Sequence, residues 1–161
     1  MLLVEDILLL LTDDETGKAA VDSSTLDIAL AGSVLLELAA RGKVDVAGPG
    51  EAVKKGRVVV RDASTAGDPL LDTAIAKVQA VSARSPDSLL HQLKKGLAEE
   101  VRRRLTERGI LRFEQGRVLG IFPTSRWPAE DSRHEEHVRR ALREVLVTGR
   151  PATGEEAAIV S

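Results

Sequence analysis

The chain has 161 residues, 43% hydrophobic and 30% charged, with a formal net charge of −2. That is enough chain for a real core, and too little positive charge for a protein that grips nucleic acid by neutralising many phosphates. It has no cysteine, which excludes a disulfide framework and a thiolate metal site. Aromatic content is 2%, two Phe and one Trp, so aliphatic side chains must fill the core and stacking platforms for bases or sugars are nearly absent.

The opening Met1-Leu2-Leu3-Val4-Glu5-Asp6 lacks the basic region and small-residue cleavage site of a signal peptide, which suits a cytoplasmic chain. The longest apolar run, Ile7 to Leu11, is far too short to span a bilayer, so any membrane contact is expected to be peripheral. Val4 to Leu11 reads as a short apolar helix, and Asp13-Asp14-Glu15-Thr16-Gly17 as a turn. Ser23, Ser24 and Thr25 offer N-cap oxygens to a helix reaching about Arg41. That helix is apolar on most faces and is expected at the centre of the fold, with Gly42 ending it.

Lys43 to Val46 alternates as a half-buried strand does, with Val58-Val59-Val60 its expected partner. Asp68-Pro69 is an N-cap followed by proline at the first helical position, and Ser85-Pro86 repeats that signal. The helical stretch after Ser85 runs to about Arg108, with a weak point at Gly96. Its buried stripe is Leu89, Leu90, Leu93, Leu97, Val101 and Leu105, and Gly109 closes it. Leu111–Glu114 and Val118–Phe122 are expected to pair around a Gln115-Gly116 turn. Pro128 is expected to open a helix to about Thr148, with Val138, Leu142, Val145 and Leu146 inward. The fold class expected is mainly α, with small β-hairpins, in a single domain over 1–161.

Six cations, Lys94, Lys95, Arg102, Arg103, Arg104 and Arg108, fall on one helical stretch, interrupted by Glu99, Glu100 and Glu107. They read either as a solvated face of Glu/Arg pairs or as a cationic patch for lipid phosphate or nucleic acid. The hairpin residues Val118, Leu119, Ile121 and Phe122 either pack on helices or reach a membrane or a partner subunit. A helix followed by a hairpin also suits a winged-helix DNA binder, against the acidic total. His91, His134 and His137 form no HExxH pattern and read as surface residues, with no metal or cofactor expected. No GxSxG, phosphate loop or distinguishable acid–base carboxylate pair points to an enzyme.

Several stretches in order resemble the Golgi phosphoprotein 3 family: Glu5-Asp6-Ile7-Leu8-Leu9-Leu10, Leu35 to Val44, Gly67-Asp68-Pro69-Leu70-Leu71-Asp72, Glu107 to Leu111, and Pro123 to Pro128, the last as in prokaryotic members. The resemblance implies a mainly helical peripheral membrane protein that recognises phosphatidylinositol 4-phosphate. In eukaryotic members it links Golgi membranes to glycosyltransferase tails. It also implies a hairpin, Glu114 through Thr124 here, used for membrane insertion or self-association. The eukaryotic lipid pocket uses a tryptophan and three arginines; the matching positions here are Asp22, Ala31, Lys95 and Ala98. Lys95, with Lys94 beside it, is the retained cation, and arginine at Ala31 and Ala98 is expected to raise phosphoinositide affinity. Relative to the family, the chain is short of the last C-terminal helices. The alternatives are a protein-interaction or scaffold module that has lost the lipid site, and the winged-helix DNA binder.

Overall fold

The computed structural model describes residues 1–81, 85–118, 122–130, 132–148 and 150–160. In chain order its elements are α1 (Leu3–Leu10), α2 (Ser23–Ala40), β1 (Val44–Val46), β2 (Val58–Val60), α3 (Pro69–Ala80), α4 (Pro86–Leu93), α5 (Leu97–Glu107), β3 (Glu114–Val118), β4 (Phe122–Arg126), α6 (Arg133–Thr148) and α7 (Gly154–Val160). The fold is mainly α, with two small antiparallel strand pairs. The chain forms two compact units, residues 27–97 and residues 1–26 with 98–161.

In the unit of residues 27–97, α2 buries Leu30, Ala31, Val34 and Leu38, a stripe at helical spacing. This is narrower than the all-round burial expected, since Leu36 is 46% exposed. By length and composition α2 could cross a membrane, but this buried stripe marks it as a core helix. Its end is a Schellman turn: the Gly42 N–H donates to Ala39 O and the Lys43 N–H to Leu38 O. β1 and β2 pair as expected, Val44 opposite Val60 and Val46 opposite Val58. β2 lies against α3, and α3 against α4. Both Asx/Ser–Pro signals are helix starts: Asp68 accepts the Leu70 N–H at 2.8 Å, and Ser85 caps α4.

The helical stretch after Ser85 is two helices. α4 stops at Leu93 and α5 starts at Leu97. Gly96 sits at φ +70°, a left-handed conformation that glycine adopts without a Cβ clash.

In the other unit, α1 packs against α6 and α7. Its core includes Val4, Leu8, Leu9, Val101, Leu105 and Leu111. The N-cap ahead of α2 is Asp22, not the serines or Thr25. Its Oδ1 accepts the Ser24 and Thr25 N–H groups at 3.0 Å each, and Thr25 Oγ1 donates to Oδ2 at 2.6 Å. These bonds, led by the Thr25 hydroxyl, hold the Asp22 carboxyl below its ordinary pKa.

The second hairpin is displaced from the expected one. β3 and β4 pair Glu114 with Arg126 and Val118 with Phe122, so Gln115 and Gly116 lie within a strand. Leu111 instead bridges Ala129. Pro128 does not open α6: it is buried, and its carbonyl accepts the Arg112 N–H at 2.9 Å. α6 begins at Arg133, after Ser132 has accepted the Glu136 N–H. Leu146 is 65% exposed rather than inward, and Val138, Leu142 and Val145 are half-buried.

The turn after α1 is fixed by close backbone contact. The Trp127 N–H donates to Gly17 O and the Ala129 N–H to Asp14 O. Gly17 has φ +63°, and a Cβ there would stand 2.4 Å from backbone atoms of Trp127 and Pro128. Gly17→Ala therefore combines a strained backbone with an overlap that no rotamer relieves. It is expected to cost about 2–3 kcal/mol of stability, read from a urea midpoint. A change within about 0.5 kcal/mol would mean that this contact yields freely.

Candidate functional site

The basic stretch is divided among separate tasks. Arg103 is bracketed by Glu100 at 2.6 Å and by Glu107, on the exposed face of α5. Both acids raise its pKa further, Glu100 more strongly. Arg104 and Arg108 turn to the buried Glu5, at 3.1 and 3.0 Å. The Arg102 guanidinium lies 4.5 Å from the centre of the Trp127 ring, which also meets Phe113 at 5.5 Å. All four arginines are engaged within the fold, which removes most of the charge a DNA-binding helix would need.

Lys94 and Lys95 differ. They sit at the break after α4, Lys95 exposed and Lys94 half-buried. Among the described residues neither ammonium is within ion-pair reach of a carboxylate. The break arises because Gly96 interrupts the helix, and it leaves two adjacent cations available to an anion from solvent.

The other positions matched to the lipid pocket have different surroundings. Ala31 is completely buried and Ala98 is 5% exposed, so both are core methyls. Asp22 is committed to capping α2. The expectation that arginine at Ala31 would raise affinity meets a position with no exposed surface. Leu119 and Ile121 lie outside the described residues, as do the side chains of Val118 and Phe122.

The polar residues of the Leu35–Val44 and Gly67–Asp72 stretches tie down the loop before α3. The buried Lys43 donates to Asp62 Oδ2 at 2.6 Å, Ser64 Oγ at 2.8 Å and Ser64 O at 3.1 Å, satisfying all three ammonium protons. Lys43 first, then Ser64, hold the Asp62 carboxyl well below the usual carboxylate range. Asp72 accepts from Thr65 Oγ1 at 2.8 Å and the Ala66 N–H at 2.6 Å, while Arg41 donates to Ala66 O at 2.9 Å. Lys43, Asp68 and Asp72 are thus structural.

The model of the Golgi phosphoprotein 3 family matches residues 3–161, which takes in all of these motif residues. The chain belongs to the Golgi phosphoprotein 3 (GPP34) family. Within this member of the Golgi phosphoprotein 3 family, the Glu5-Asp6 opening is a pair of buried acids, each with a basic partner.

An open groove of about 380 Å³ elsewhere is lined by Val53, Val58, Val59, Val60 and Val78, with Glu51 and Arg61 at its side. Those two charges form a bidentate pair at 2.7 Å, and Arg61 lowers the Glu51 pKa to about 2. Among the described residues that line it, the groove therefore presents no unpaired cation to a phosphate. His91 and His137 are exposed, as expected, whereas His134 contacts Asp6 at 2.7 Å.

Proposed function

We propose that the protein is a non-enzymatic, peripheral membrane protein of the cytoplasm that binds anionic lipid, with phosphatidylinositol 4-phosphate as the head group its family points to. The observation that carries the reading is Lys95: it is exposed, with Lys94 adjacent, and the family resemblance implies a pocket cation at its position. An ammonium supplies charge without the bidentate fork of arginine, so it suits anionic phosphate generally better than one phosphoinositide. The β3–β4 tip, with Val118, Leu119, Ile121 and Phe122, is the second contact proposed, either inserting among lipid or pairing with another copy.

Lys95→Glu is expected to weaken sedimentation with vesicles containing phosphatidylinositol 4-phosphate by roughly thirtyfold, since charge reversal changes the interaction by about 2 kcal/mol. Lys77→Glu, on α3, is the control. Equal sedimentation of wild type and Lys95→Glu would sink this placement.

The burial of Ala31 and Ala98 and the capping role of Asp22 favour a second reading, a protein-interaction module that kept the fold without the lipid site. It predicts no sedimentation of the wild type with vesicles of any charge.

A further inference from the structure

The α1–α6 contact holds a set of acids that the lipid reading does not use. Asp6 is 2% exposed and its Oδ1 lies 2.7 Å from His134 Nε2. One residue on, Glu135 is 3% exposed. Its Oε1 accepts from Arg139 Nε, but its buried Oε2 has no donor. What faces it is another carboxyl, Asp14, in the turn after α1. Two ionised carboxylates repel each other, and a buried acceptor without a donor is costly. A proton between the two acids removes both problems at once.

We propose that α6 is docked on α1 by a proton shared between Glu135 and Asp14, which makes this contact a pH-responsive latch.

The surrounding charges do not supply the missing donor. On α1, Glu5 is held by Arg104 of α5 and by Arg108 just after it, and Asp6 by His134. In the turn, Asp13 is occupied by Thr16 at 2.7 Å, and Glu15 is exposed. On α6, Arg139 already serves Glu135 and also reaches Leu10 O at 3.4 Å, while Arg133 and Glu136 are exposed. Beside α7, Arg150 takes Glu156 at 2.7 Å. Burial first, then Asp14, raises the Glu135 pKa to about 7, against the opposing pull of Arg139.

For an acid whose folded pKa is raised, the stabilisation is complete below the ordinary carboxyl range and is lost as pH rises through about 7.

Hydrogen exchange of the full chain tests the latch, with rates corrected for intrinsic pH dependence. Protection of Arg133–Thr148 is expected to fall about fiftyfold between about pH 5 and about pH 8, while α3 keeps its protection. Glu135→Gln, whose amide can donate to Asp14, and Asp14→Asn, which can donate to Glu135, should each flatten that dependence. The proposal is overturned if wild-type α6 is equally protected at both pH values or if α3 loses protection in parallel. A full slope retained in either folded variant overturns it too.

Discussion

Ala31→Arg is expected to destabilise the protein by about 4 kcal/mol or more, and not to improve phosphoinositide binding. Ala31 has no exposed surface and lies on the stripe with Leu30, Val34 and Leu38. An arginine there must either bury an unpaired guanidinium or force α2 off its neighbours. Ala31→Met separates these contributions, because it adds volume without charge and should cost about 1–3 kcal/mol. Urea melts of the three proteins give the comparison. Near-wild-type stability of Ala31→Arg would show that the side chain escapes to water, and would restore this position as a place for a pocket cation.

The same substitution bears on how the proposed lipid site is to be understood. A pocket of one tryptophan and three arginines concentrates charge and stacking at one point; Lys94 and Lys95 offer two ammonium groups on a surface. Each contributes roughly 1 kcal/mol near an anionic membrane. Such binding is expected to depend on vesicle charge density and on salt more than on the stereochemistry of one head group. Graded mixtures of phosphatidylserine and phosphatidylinositol 4-phosphate at matched charge measure that directly, and a preference above about tenfold for the phosphoinositide would contradict it.

Local chemistry was readable from the residues. Asp68-Pro69 and Ser85-Pro86 are helix starts because a side-chain oxygen and a preset φ act within one turn. The Gly109 closure of α5 is equally local, with Ile110 N–H donating back to Leu105 O. The hairpin differs because Gln115-Gly116 has the composition of a turn, whereas its glycine pairs within a strand opposite Thr124. Pro128 differs for a similar reason: proline suits a first helical position, but here its carbonyl is taken by Arg112.

The basic stretch shows where pattern stops being informative. The Arg103 pairs with Glu100 and Glu107 follow from helical spacing. Nothing in that spacing reveals that Arg104 and Arg108 serve an acid near the N-terminus. Nor does composition distinguish Lys95 from the arginines; its availability follows from the helix break at Gly96.

Glu5 is where that distant pairing should have its largest measurable effect. Its carboxylate is 1% exposed and collects three partners: the Leu2 N–H at 2.8 Å, Arg104 Nε at 3.1 Å and Arg108 at 3.0 Å. Glu5→Ala leaves the mostly buried Arg104 without this counter-charge and frees the first-turn N–H that Glu5 satisfies. The expected loss is about 3–4 kcal/mol by chemical denaturation. Glu5→Gln keeps an acceptor in place but not the charge, and should recover about half of that. A cycle combining Glu5→Gln with Arg104→Gln isolates the ionic contribution. If the double variant is as destabilised as the sum of the singles, Glu5 and Arg104 are not coupled, and the acidic opening of the chain owes its place to the Leu2 and Arg108 contacts.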